Sequence, residues 1–403
     1  MIGSMMPAPL HYCTNVHPCR SAADLPALLD TYAVEVREEC GFPIGVGLWL
    51  PAAALADLQA TPAGTARLAT ALAERGLVCH TLNAFPHGDF HGQSVKDRVY
   101  RPDWSDPTRL DYTLACGELL AGLLPDTAVG SISTLPLGFK GHPHGAGFEA
   151  AALDRLVDLA VAWARLREQT GRTIRLAIEP EPFCLIETTA EAIAFFTRLL
   201  QAAAVRGAER AVREHVGLCY DVCHQAVEFE DAAEAIGRLT AAGIRINKVQ
   251  VSCAIELDHP ADPAAREALA RFAEPRYLHQ TFARTSSGRI LSIADLTAAH
   301  ALQPPREWQE SPAWRVHFHV PVDAERIGPL GTTRGELRRA LAAIGRLAEM
   351  PHLEVETYTW PVMPDAEGAP AGGGGIVAGL VRELVATREL LGPGAPWSAA
   401  GGP

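Results

Sequence analysis

One feature limits the fold more than any other: along almost the whole chain, short apolar runs alternate with alanine- and leucine-rich stretches of helical spacing. A parallel strand covered on both faces needs an unbroken apolar run, and a crossover helix must carry the chain to the next one. Strands are therefore expected at 9–16, 44–50, 77–83, 128–135, 173–179, 215–221, 245–252, 314–320 and 352–358. Amphipathic helices are expected near 22–38, 52–75, 107–122, 147–170, 189–204, 230–242, 333–348 and 375–391. Ser21 is placed to cap the first helix, and Thr188 with Glu191 forms a capping box for the fifth. The fold class this predicts is α/β, a (β/α)8 barrel. Nine strand candidates compete for eight places, and 245–252 and 314–320 are rivals for the seventh.

The rhythm breaks over 253–312, which holds a short helix near 263–272, a hairpin at 276–292 around Ser287-Gly288 and the turn Pro304-Pro305. A long excursion of this kind in a compact domain commonly forms a lid or binding loop, so it is read as an insertion near strand seven. Residues 1–391 are expected to be one barrel domain. The stretch PDAEGAPAGGGG reads as flexible, and 392–403 as a disordered tail with too little apolar surface to offset the entropy of ordering.

Lysine and arginine total 35 against 47 acidic residues, a net charge of -12, and no basic block occurs. That disfavours a nucleic-acid-binding face, which needs a cationic track along the phosphates. No basic and apolar leader opens the sequence and no long apolar run follows, so neither a signal peptide nor a membrane insertion is expected, and the cytoplasm is the expected location. The nine cysteines are scattered, several of them in apolar runs, as suits small buried residues in a reducing compartment.

Acids and histidines stand at the carboxyl ends of the apolar runs: Glu179 and Glu181 after IRLAI, Asp221 and His224 after VGLCY, His317 and His319 in RVHFHV, Glu354 and Glu356 in LEVETY. In a parallel barrel these ends converge on one mouth. Two Glu, one Asp and one His offer a hard or borderline divalent cation (Mn2+, Mg2+, Co2+ or Zn2+) a ligand set with open positions. The expected ligands are Glu179, Asp221, His317 and Glu356, with Glu179 and Glu356 also catalytic and Glu354 lying deeper. Asp221 is equally placed to cap a following helix. Expected on the substrate side are His224, Glu181, His319, His80, Asn83 and Lys140, with the loop 83–106 as a lid.

The stretches HYCTNVHP, TLNAFPHGDFHGQSVKDRVYRPDW, STLPLGFK, IEPEPFCLIET, CYDVCH, KVQVSCAIEL, YLHQTF, WRVHFHVPV and LEVETYTW run from residue 11 to 360. On these the chain resembles the xylose-isomerase-like TIM barrels of the sugar phosphate isomerase/epimerase superfamily, and within them the metabolite traffic protein EboE family. The resemblance implies a metal held by Glu179, Asp221, a strand-seven histidine and Glu356, two glutamates that shuttle a proton, and His224 on the substrate. It also implies a functional link to a membrane prenyltransferase of the same gene cluster. The sequence departs from the pattern at KVQVS, which offers Gln250 where the superfamily has a histidine; HFHVPV and the glycine loop after it look like strand seven instead. The function expected is a metal-dependent isomerase or epimerase acting on a small sugar-like or carbonyl metabolite. A metabolite-binding carrier barrel is the alternative, and a metal-dependent phosphodiesterase of the apurinic endonuclease kind is disfavoured by the charge balance.

Overall fold

The computed structural model describes residues 9–364 and 373–392. The first seven strands are β1 (Leu10–Cys13), β2 (Ile44–Trp49), β3 (Thr81–Asn83), β4 (Val129–Thr134), β5 (Thr173–Ile178), β6 (Val216–Asp221) and β7 (Ile246–Val251). The chain then leaves for six strands of a second sheet: β8 (Cys253–Leu257), β9 (Thr281–Arg284), β10 (Ile290–Ile293), β11 (Ala313–Val320), β12 (Arg326–Ile327) and β13 (Leu330–Thr332). It returns as β14 (His352–Val355), which pairs in parallel with β7 on one side and β1 on the other and closes an eight-stranded parallel barrel. Helices cover the barrel between successive strands, and the expected capping box at Thr188 and Glu191 opens the helix Thr189–Val205. The tail 393–403 and most of the glycine-rich stretch lie outside the described residues.

The rivalry for strand seven is settled in favour of 246–251. HFHVPV is not strand seven: it lies in β11, between β8 and β9, in an antiparallel sheet of order β10-β9-β11-β8-β13-β12. The misreading has a physical cause. β11 is buried over nearly its whole length, so its sequence shows the same continuous apolar run as a barrel strand. The second sheet starts at Cys253, where the insertion was expected to begin, and runs on past the expected end at 312 to Thr332.

The barrel interior is polar at its centre. Lys248 Nζ lies 2.6 Å from Glu354 Oε2, both side chains fully buried, and donates to Leu82 O and Ser133 Oγ at 3.2 Å. Glu354 occupies the space above Gly47, where a Cβ would stand 1.4 Å from Glu354 Oε1. Below it His11, His80 and His352 gather with ring centroids 5.5–6.2 Å apart. The nine cysteines are all free and buried.

Candidate metal centre

Three carboxylates meet where β5, β6 and β14 end. Glu179 follows β5, Asp221 is the last residue of β6 and Glu356 follows β14, and one oxygen of each lies within 4.8 Å of the others. All three are buried. Burial, then the neighbouring Glu356 and Asp221, raises the Glu179 carboxyl well above its usual range. Burial, then Asp221 and Glu354, does the same to Glu356. Like charges this close cannot all ionise without a cation or a proton among them.

The surroundings hold one oxygen of Asp221 and one of Glu356. Asp221 does serve as a helix cap, as its position after a strand suggested: Oδ1 accepts from His224 N at 3.1 Å and from Ser252 Oγ at 2.7 Å. Among the described residues its Oδ2 has no hydrogen-bond partner. Glu356 Oε1 accepts from Asn15 Nδ2 at 2.7 Å and Asn83 Nδ2 at 2.8 Å, and among the described residues Glu179 Oε2 has no partner.

Three imidazoles complete the cluster. His224 Nδ1 lies 3.0 Å from Pro180 O, and His319 Nδ1 2.7 Å from Glu356 O. A carbonyl only accepts, so in both rings Nδ1 carries the proton and Nε2 the lone pair. His317 Nδ1 likewise meets Gln280 Oε1 at 2.7 Å, because that amide's Nε2 is committed as donor to Tyr100 Oη and Pro182 O. The freed Nε2 atoms face the acids: His319 Nε2 is 3.8 Å from Asp221 Oδ2, and His224 Nε2 is 3.6 Å from the same oxygen. Burial lowers all three imidazoles, His224 to about 4, and so keeps them neutral near pH 7.

Ligand atoms also gather in Asp221, His224 and His319, in Glu181, His224 and His317, and in Cys223, His317 and His319. A cavity of about 50 Å³ opens onto Glu179, His224, His317 and Glu356, with Asn15 and Asn83 beside them and Phe85, Phe90, Val99 and Tyr358 as its apolar wall. Three unpartnered buried atoms, Glu179 Oε2, Asp221 Oδ2 and His319 Nε2, in a donor set of carboxylate and neutral imidazole, fit a divalent cation.

Of the residues expected on the substrate side, Glu181, His224, His319 and Asn83 are at this mouth. His80 is not: it precedes β3 and packs against His11 and His352, at the amino ends of the strands. Lys140 is exposed and pairs with Glu187 and Glu191. Ser252, Gln280 and Tyr358 escaped the sequence reading, since a lone hydroxyl, amide or phenol carries no spacing signal. Gln250, whose alternation along β7 puts it on the inward side with Lys248, is fully buried, and among the described residues neither its amide oxygen nor its amide nitrogen has a partner.

No protein-family model matches the chain, and none of the curated proteins matches it. Among solved structures, a xylose isomerase-like TIM barrel protein from Mycobacterium smegmatis in complex with magnesium matches 95% of this chain and 98% of its own, with a TM-score of 0.51 and 14% identity. The fold is that of a xylose isomerase-like TIM barrel. A protein from Sinorhizobium meliloti 1021 matches 93% of this TIM barrel chain and 96% of its own, with a TM-score of 0.42 and 16% identity. An IOLI protein with a binding zinc atom matches 60% of this chain and 72% of its own, with a TM-score of 0.37 and 15% identity. Among the described residues of this TIM barrel, no helix is long and apolar enough to cross a membrane.

Proposed function

We propose that the protein is a divalent-metal-dependent isomerase or epimerase of a small sugar-like or carbonyl metabolite, serving secondary-metabolite processing or traffic in the manner of the EboE family. The observation that carries this reading is the gathering of Glu179, Asp221 and Glu356, all buried, at the barrel mouth, with Glu179 and Glu356 lining a cavity there. Glu179, Asp221, Glu356 and His319 would hold the ion. His319 is preferred to His317 because its free Nε2 lies beside Asp221 Oδ2. A bound divalent cation polarises a carbonyl or hydroxyl oxygen and acidifies the neighbouring C–H or O–H.

The chain's own residues supply the rest. Glu179 and Glu356, both raised toward neutrality by burial and by their neighbours, suit one carboxylate that takes the proton next to the carbonyl and another that returns it. Asn15 and Asn83 fix the direction of Glu356. Phe85, Phe90 and Tyr358 keep water from the intermediate. A prenyltransferase of the same gene cluster would supply or take up the metabolite.

The test is metal content by elemental mass spectrometry for the wild type, Glu179→Gln and Asp221→Asn, followed by deuterium uptake from D2O into candidate hydroxy-carbonyl compounds. A metal near stoichiometry that is lost in both variants, with exchange only in the loaded wild type, is expected. A wild type that takes up none of Mn2+, Mg2+, Co2+ or Zn2+ sinks the reading and leaves a carrier barrel.

A further inference from the structure

We propose that Glu383, on the closing helix Gly373–Leu391, is a positioning residue for the metal centre: it fastens the segments that follow β14 and β11 and so holds Glu356 and His319 in the directions a cation needs. The inference rests on the reading of this mouth as a metal centre.

Glu383 is fully buried and takes no part in the chemistry proposed above. Three groups meet its carboxylate, and all of them donate. Thr357 Oγ1 donates to Oε1 at 2.5 Å, Val322 N to the same oxygen at 3.2 Å, and Trp360 Nε1 to Oε2 at 3.0 Å. Thr357 directly follows Glu356, Trp360 stands in the same stretch, and Val322 lies three residues past His319. For docking a helix alone an apolar side chain would serve as well, since a buried charge gains little over a well-packed isostere. A carboxylate with both oxygens engaged also fixes the directions of its partners.

From this anchor the contacts run on to the ligands. Glu356 O accepts from His319 Nδ1 at 2.7 Å, and Thr359 Oγ1 donates to His319 O. The segment 356–359 therefore holds His319 both by its ring and by its backbone, while Glu383 holds Thr357 and Trp360 of the same run. Trp360 adds a second grip. A Cβ on Gly379, one helical turn before Glu383, would stand 2.5 Å from Trp360 Cζ2, so the indole lies against bare helix backbone. Glycine inside a helix weakens it, and here it makes room for the ring whose N–H reaches Glu383. Among the described residues Glu383 has no hydrogen bond to Glu356 or His319 themselves, so it acts on them through this segment.

The experiment is titration of the purified full chain with Co2+, followed by visible absorption, whose bands report the geometry around the ion. The wild type, Glu383→Gln, Glu383→Ala and Leu384→Ala are compared, each with its Tm from circular dichroism. Leu384 is fully buried on the same helix and is the control for lost stability. Co2+ binding is expected to be about 10-fold weaker in Glu383→Gln and weaker still in Glu383→Ala, toward 100-fold, with the bands of the bound ion shifted in both. Leu384→Ala should lower Tm and keep the affinity and bands of the wild type. Glu383→Gln is nearly isosteric and carries the test if Glu383→Ala does not fold. Wild-type affinity and bands in Glu383→Gln overturn the positioning role and leave the metal centre standing. So does a Leu384→Ala variant that binds Co2+ as weakly as Glu383→Gln, because affinity then follows stability alone. No Co2+ binding by the wild type overturns the metal centre, and this inference with it.

Discussion

Replacing Glu179 by glutamine should stabilise the metal-free protein while it destroys metal binding, a pair of effects with opposite signs. Glu179 is 3% exposed, and its oxygen lies within 4.8 Å of those of Asp221 and Glu356. At an effective dielectric constant of about 20, two charges at that spacing repel by about 3.5 kcal/mol. Glu179 takes part in two such pairs, but proton uptake relieves most of the repulsion. A net gain of about 1–3 kcal/mol at neutral pH follows, a rise in Tm of a few degrees.

The pH dependence has a definite sign. The folded-state pKa values of Glu179, Glu356 and Glu181 lie above their unfolded values, that of Glu181 at about 8 because of burial. The folded chain therefore holds protons that the unfolded chain has released. Their contribution is complete below the unfolded pKa, about 4.3, and is lost as pH rises through the folded values. Metal-free wild type should thus lose stability from about pH 5 to pH 8, and Glu179→Gln should lose less. Mn2+ at about 100 times its Kd should add about 2.7 kcal/mol to the wild type and nothing to the variant, and one fixed Mn2+ concentration should add more at pH 8 than at pH 6. Differential scanning calorimetry in chelator and in Mn2+ measures all of this. A metal-free variant that melts below the wild type, yet still responds to Mn2+, would refute the reasoning.

Other substitutions probe the supports of the site. Asn83→Ala leaves Glu356 Oε1 with Asn15 alone and should weaken Mn2+ binding about 10-fold by titration calorimetry; unchanged affinity would mean that Asn83 does not orient the carboxylate. Lys248→Met leaves the buried Glu354 without its partner and should cost about 3–5 kcal/mol in urea unfolding, most of it recovered when Glu354→Gln is added. A Gly47→Ala methyl would overlap Glu354 Oε1, so this variant should lose about 1–3 kcal/mol in the same assay, and an unaltered midpoint would show that Glu354 can move aside.

What could be read from the sequence was whatever leaves a local imprint. The barrel strands are apolar runs covered on both faces, and Glu179, Asp221 and Glu356 follow three of those runs directly, so the eight-stranded fold and the meeting of the acids were both visible. Pairing partners leave no such imprint. RVHFHV is as apolar and as buried as a barrel strand, and only its antiparallel bonds to β8 and β9 remove it from the barrel. KVQVS was passed over as strand seven because it offers Gln250 where the resembled superfamily has a histidine. Its Lys248 is paired across the barrel with Glu354 from β14, more than a hundred residues away. His80 was misplaced for a related reason: it stands three residues before Asn83, which reaches the mouth, and β3 begins only after it.

The division of labour at the mouth follows from what each layer can supply. The strand ends of the barrel provide carboxylates, and packed alone these would repel one another or take up protons. Neutral imidazole must then come from elements that are free to approach from above. His224 arrives on the short helix Val222–Val227 that Asp221 itself caps, and His317 and His319 arrive on β11, two residues apart on one face with ring centroids 5.3 Å apart. The backbone of the barrel mouth sets two of these rings, through Pro180 O and Glu356 O, while Gln280 from the inserted sheet sets the third. The insertion is thus part of the site's chemistry: without β11 the barrel keeps its three acids and loses two of the three nitrogens that would let a borderline metal compete with protons for them.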